Sequence, residues 1–255
     1  MAGSPIQPMR SLADADWLNT RAIRKVFAAI ERDGDAARVV GGAVRNALLD
    51  EPVADIDIAT TASPQDVTAR ARAAGLKAVP TGIEHGTVTV ISSGTPFEVT
   101  TLREDVETFG RHASVRFGRD WTADAQRRDF TMNALYVDST GAIFDPIGSG
   151  YADCLARHVR FIGEPEARIR EDYLRILRFF RFHAQYGAGA MDAQGCPRSC
   201  NAATDCGICR PSVSVMKFAA FWSRRAPAAW WKRWPTPGSS RSRWAASCGS
   251  RISSI

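Results

Sequence analysis

Residues 40–60 read VGGAVRNALLDEPVADIDIAT, and this stretch decides the reading of the chain. Gly41 and Gly42 close an apolar run and open a short helix that carries Arg45. Further on, Asp55 and Asp57 flank a single isoleucine. Residues two apart on an extended strand share a face, so the spacing predicts the two carboxylates side by side, with Ile56 and Ile58 toward the core. Two like charges held that close repel unless a cation lies between them. Mg²⁺ is the expected occupant, with phosphoryl or nucleotidyl transfer as the expected chemistry. Paired glycines let backbone N–H groups approach a triphosphate, and the helix that follows turns its positive end to it. The Asp-Ile-Asp pattern alone is more often that of an edge strand with two solvated acids; the glycine turn and the arginine just upstream make it a nucleotide site.

Outward from this stretch, ARVV (37–40) reads as a buried strand and Ile56–Thr60 as the next one. The first 35 residues read as helical, with Asp14 or Asp16 as cap and Leu18, Ile23, Val26, Phe27 and Ile30 as the apolar stripe. Ser63-Pro64-Gln65-Asp66 is a helix start, with serine as cap, proline in the first position and an acid in the first turn; the helix is expected to run to about Ala74, before Gly75. Residues 86–92 and 96–103 alternate in polarity about Gly94, as a hairpin does, which brings Glu98 near the aspartates either as a third carboxylate or as a solvated strand acid. Residues 104–122 lack a period and read as a mobile loop able to act as a lid. HVRFIG (158–163) reads as a strand, and Glu164 to about Tyr186 as one helix carrying Asp172, Arg175 and Arg178 along one face.

The 255 residues suffice for one large or two small cored domains. No window approaches eighteen uninterrupted apolar residues, so no membrane span is expected, and the first ten residues lack a basic-then-apolar signal pattern, which points to the cytoplasm. The net charge of +6 is uneven: residues 191–255 hold ten Arg/Lys against two acids, whereas the first 190 residues are slightly acidic. Basicity is therefore a property of the tail rather than of the candidate catalytic part. That tail also holds five of the six cysteines and five of the seven tryptophans, and no glutamate follows Glu171. Cys196, Cys200, Cys206 and Cys209 could ligate zinc, but they lack the long spacer between ligand pairs that such sites use. The Arg, Ser, Pro, Gly, Trp and Cys excess is read instead as a slipped reading frame of a GC-rich gene.

Four motifs in order, GGAVRN…DID, RRDFTMNA (127–134), DPIG…AD (145–153) and EDYLRILR (171–178), resemble the head and neck of the bacterial class II tRNA nucleotidyltransferases, the CCA-adding enzymes, and of the related bacterial poly(A) polymerases. The resemblance spans roughly residues 15–188. It implies an α+β fold: a polymerase-β-like nucleotidyltransferase head, a mixed sheet with helices, over 1–150, a helical neck over 151–190, and an atypical, irregular segment over 191–255. It implies that Gly41, Gly42 and Arg45 hold the triphosphate and that Asp55 and Asp57 hold catalytic Mg²⁺. Arg128 and Asp129 would lie near the ribose and metal, with Asp129 grouped among the catalytic residues. Asp172 and Arg175 would read the base edge of C or A, a hydrogen-bonding template that leaves a wrong base unpaired. Arg178 joins them as a nucleotide-binding candidate, although it and Arg181 suit the neck helix or the RNA backbone better than the base. Trp121 reads as a packing residue.

The implied reaction is attack of a tRNA 3′-hydroxyl on the α-phosphorus of CTP or ATP, with pyrophosphate leaving on Mg²⁺ and Arg45. Poly(A) synthesis is the alternative, as is a fragment that binds NTP without transferring it; a weaker third is RNA binding through the basic tail. The chain departs from the family pattern in three places. Asn46 stands where the family usually has Asp, SGYADC is one residue longer, and the Ser-Glu-Arg start expected after the neck is missing.

Overall fold

A computed structural model describes residues 9–109 and 112–195, and its centre is the strand predicted from ARVV, β1 (Ala37–Val40). β1 is flanked by β2 (Asp57–Thr60) on one side and β8 (Tyr136–Val137) on the other, both antiparallel. β2 pairs in parallel with β5 (Thr95–Thr101). β5 forms the expected hairpin with β4 (Thr87–Ser92) through a turn at Ser93 and Gly94, both at positive φ. Adding β3 (Lys77–Gly82) at one edge and β9 (Ile143–Phe144) at the other completes a mixed seven-stranded sheet, ordered β3-β4-β5-β2-β1-β8-β9. This is the α+β class expected from the sequence.

The two faces of the sheet have different duties. Val39, Ile58, Val88 and Val99, aligned across four strands, are all fully buried on one face. The helices α1 (Arg21–Ile30) and α3 (Pro64–Ala73) pack together and against β4 on that side, with Ile23, Val26, Ile30, Val67 and Ala71 buried. Ser63 caps α3 as predicted, its side chain accepting from the Asp66 N–H at 3.1 Å. The opposite face carries Val40, Ala59 and Tyr136 into a cluster with Ala125 of α4 (Trp121–Gln126). Trp121 stands edge-on to Tyr136 at 5.4 Å and carries the Arg38 guanidinium 4.2 Å from its ring centroid, so it is a packing residue as expected.

Four local expectations need correction. The N-terminal helix begins only at Arg21, capped by Thr20 rather than by Asp14 or Asp16; the hydroxyl of Thr20 is the acceptor that reaches the Ile23 N–H. Residues 104–122 are not a loop throughout: β6 (Arg103–Phe109) and β7 (His112–Phe117) pair antiparallel. They pair only with each other, outside the main sheet, so no alternation toward the main core marks them. HVRFIG makes a single bridge, Phe161 with Phe130, instead of a strand. Finally, the helix over 164–186 is two helices, α6 (Pro165–Glu171) and α7 (Leu174–Tyr186), separated at Asp172, whose φ of −152° is extended.

α7 lies on the sheet-bearing part through aromatic rings. Phe161 stacks on Phe179 at 5.3 Å, and Phe130 meets Phe161 at 5.0 Å and Phe182 at 5.1 Å. The two remaining helices, α2 (Gly42–Leu48) and α5 (Gly150–Leu155), are short. Among the described residues no helix is long and apolar enough to cross a membrane. The cysteine-rich residues 196–255, and with them the zinc and reading-frame expectations, lie outside the described residues.

Candidate active site

The register of the sheet builds the site. Val40 is opposite Asp57, and Asp57 is aligned with Glu98, so one row crosses the sheet from Glu98 through Asp57 and Val40 to Tyr136. Residues aligned across neighbouring strands point to the same face, which puts the Asp57 and Glu98 carboxylates side by side on the α4 face. Asp55 lies just before β2 and is exposed. The Asp57 carboxyl is pushed above the usual carboxylate range by partial burial against the sheet, then by Glu98 and Asp55, while Arg128 works the other way. Its tip remains open to solvent. Glu98 thus stands beside Asp57 in the sheet and is itself exposed, so register brings it near the aspartates without deciding between the two expectations for it.

At the same end of the sheet the chain leaves Val40 and turns. Gly41 has φ 73° and ψ −117°, a conformation that disfavours any side chain, and serves as the N-cap of α2 without a side-chain cap bond. A Cβ there would stand 3.6 Å from the Asn133 carbonyl and 3.7 Å from Arg128 Nη1. Gly42 is different: its φ is ordinary, and a Cβ would meet Arg45 Nη2 at 3.7 Å, which is normal contact.

Arg128 comes from α4's C-terminal end and arrives over this row. Its Nε donates to the Tyr136 hydroxyl at 3.2 Å and its Nη2 to Asp124 Oδ2 at 3.1 Å. Asp124 is buried, at 1% exposure, and also receives Arg127 Nε and Nη2 on its other oxygen at 2.9 and 2.6 Å. Burial alone would raise its pKa, but Arg128, Arg127 and the hydrogen bonds hold the carboxyl below the usual range.

The other candidates line the junction with α7. Asp129 accepts from the Phe130 N–H and Asn133 Nδ2 on Oδ1, at 2.8 and 2.9 Å, and from Arg178 Nε and Nη2 on Oδ2, at 2.8 and 2.6 Å. Arg45 is buried at 6% exposure and donates to Asn133 Oδ1, Asn46 Oδ1 and the Tyr186 hydroxyl, while stacking 4.0 Å over the Tyr186 ring. Its guanidinium therefore faces α7 rather than standing open at the glycine turn. Asp172 sits in the break between α6 and α7, where Oδ1 accepts from the Leu174 N–H at 2.9 Å. Arg175 Nη1 donates to Glu171 and to the Arg168 carbonyl. Asp172, Arg175 and Arg178 hence do not share one helical face: the first is extended, the second turns to α6 and the third to Asp129.

Spacing missed Asp124, Tyr136 and Asn133. Asp124 to Arg128 is an i,i+4 pair of opposite charge, a signal present in the sequence. Tyr136 and Asn133 give no such local signal, because their partners are brought by the sheet and by α2.

Oxygen donors are what a small hard cation requires, and Asp55, Asp57 and Glu98 supply them. Among the described residues no three His, Cys, Asp or Glu side chains stand in a ready-made metal cage.

A family model described as Poly A polymerase head domain matches residues 37–160. The zebrafish (Danio rerio) protein named CCA tRNA nucleotidyltransferase 1, mitochondrial, is 46% identical over 152 residues, which cover 59% of this chain and 35% of that protein. The CCA-adding enzyme of Geobacillus stearothermophilus is 44% identical over 160 residues, 62% of this chain and 38% of the enzyme. Among solved structures, the Bacillus stearothermophilus CCA-adding enzyme in complex with CTP superposes with a TM-score of 0.60 at 38% identity, over 68% of this chain and 40% of that one. A tRNA nucleotidyltransferase with a primer tRNA and an incoming ATP analogue gives 0.58 at 25% identity, over 70% and 50% of the two chains. The chain thus spans well under half the length of the curated relatives named here. Residues 37–160 thus match the Poly A polymerase head domain, and the chain is similar to CCA-adding tRNA nucleotidyltransferases over the part that carries the glycine turn and the Asp57–Glu98 row.

Proposed function

We propose that this chain transfers C and A nucleotides from CTP and ATP to the 3′ end of tRNA, in the cytoplasm, with Mg²⁺ as cofactor. The observation that carries this is the sheet row that sets Asp57 and Glu98 together beside the Gly41 turn, under Arg128. Asp55 and Asp57 would hold the metal, with Glu98 as neighbour. Bound there, Mg²⁺ would neutralise the triphosphate and favour the ionised 3′-hydroxyl. The Gly41–Gly42 backbone and Arg128 receive the phosphates and ribose. Arg45 shapes this wall from behind through Asn133 and Tyr186. Asp129 contributes by holding Arg178 at the mouth, and Asp172 and Arg175 select the base once the α6–α7 break adjusts around a nucleotide. The 3′-hydroxyl gives its proton to solvent, its oxygen bonds to the α-phosphorus, the α–β bridging bond breaks, and pyrophosphate leaves.

Synthesis of poly(A) is a second reading, favoured by the description of the matching family model. Incubating a tRNA that lacks its CCA end with Mg²⁺, CTP and ATP, and sizing the product to single nucleotides, tests both. Addition that stops after C-C-A is expected; a long A ladder would select the second reading, and no extension would overturn transfer by this chain.

A further inference from the structure

Arg128 is held from every side but one. Tyr136 takes its Nε, Asp124 takes its Nη2, and its own carbonyl and that of Arg127 accept from Arg168 Nη2 of α6 at 2.7 and 2.5 Å. The Tyr136 hydroxyl in turn donates to Asp124 Oδ2 at 2.8 Å, closing a ring of three side chains. Asp124 is divided between two arginines, Oδ1 for Arg127 and Oδ2 for Arg128, so one buried negative charge faces two positive ones. Arg128 also acts on the Asp57 carboxyl, and on the side that Asp124 and Tyr136 leave free its Nη1 stands 3.7 Å from the Gly41 Cβ position.

We propose that Asp124 and Tyr136 are positioning residues for nucleotide binding: they brace Arg128 so that Nη1 is presented at the Gly41 turn, where a triphosphate or ribose oxygen would accept from it. This rests on the nucleotide-transfer reading above. An arginine on a free side chain would lose rotamer entropy on every binding event, and the ring removes that cost beforehand. Asp124 is the element that does this without quenching the charge, because Arg127 shares it. A core role alone would ask only for packing, which a phenylalanine at 136 would supply against Trp121 equally well.

The experiment compares wild type, Y136F, R128Q and the double variant, using calorimetric titration with CTP and Mg²⁺, together with KM and kcat for CTP. Tyr136→Phe removes the hydroxyl and keeps the ring. The expected result is about a tenfold weaker Kd and higher KM for CTP, the scale of a lost charge-assisted bond, with kcat changed by less than about threefold. In the Arg128→Gln background Tyr136→Phe should have no further effect on Kd. If wild type binds CTP and Y136F binds it equally well, or if the two losses add in the double variant, the brace is overturned and the transfer reading stands. If wild type binds no CTP, the transfer reading falls and the brace with it.

Discussion

Asp57 and Asp124 lie on the same face of one sheet, about the same Arg128, and their electrostatics run in opposite directions. Asp57 has Glu98 and Asp55 for neighbours and a pKa pushed above the normal carboxylate value. Asp124 is more deeply buried, yet two arginines and a tyrosine hold its pKa below that value. Burial therefore does not set the sign here; the neighbours do. Asp57 gathers negative charge that a cation would offset, while Asp124 is balanced inside the fold and holds the arginine between them. A site that takes a polyanion needs both: a place for positive charge to arrive and a fixed positive charge already there.

The largest expected effect tests the unbalanced half. Asp57→Asn should lower nucleotide transfer by at least about a thousandfold, roughly 4 kcal/mol in the barrier, measured by single-turnover extension. The same substitution should stabilise the fold without metal, by less than about 1 kcal/mol because water screens the open carboxylate. The sign follows from linkage: a carboxyl raised in the folded state favours folding below the unfolded value, near 4, and that contribution is lost as pH rises through the folded value. The advantage of the Asn variant in urea melts should therefore be present at pH 7 and vanish by about pH 4. An Asn variant less stable than wild type at pH 7 would remove the contrast.

Asp124→Asn tests the balanced half. Removing one partner from a buried charge network should cost about 3 kcal/mol, read as a lower urea midpoint at pH 7. Its pH dependence is the reverse. A carboxyl lowered in the folded state contributes stability above the unfolded value and loses it as pH falls through the folded value, so the gap between wild type and variant should close in acid. Melts at pH 7 and pH 3 check this, and a gap that widened in acid would show that the comparison is drawn wrongly.

The smallest effects separate the two glycines beside these acids. Gly41→Ala forces a side chain into positive φ and should cost about 1–2 kcal/mol. Gly42→Ala, with ordinary φ and only a normal contact to Arg45 Nη2 for its Cβ, should leave stability within about 1 kcal/mol and serves to ask whether a bare backbone at 42 matters to CTP affinity. A Gly42→Ala variant with full affinity would assign the turn's requirement to Gly41 alone.

Sequence spacing by itself determined the elements whose signals are local. The strand 37–40, the Ser63-capped helix and the hairpin at Gly94 all follow from periods and caps within a few residues, because backbone geometry alone enforces them, whereas β2 begins only at Asp57 and leaves Asp55 before it. It also placed the glycine turn and the carboxylates in one site, since the motif order is a property of the chain. What only the tertiary structure decided is which charge meets which. Glu98 reaches Asp57 through the parallel pairing of β2 with β5, Arg45 turns to Tyr186 of α7, Asp129 takes Arg178, and Asp172 falls in a break that its helical spacing concealed. These partners are set by strand register and by the need to neutralise charge where the packed core excludes water, and neither quantity exists until the chain has closed on itself.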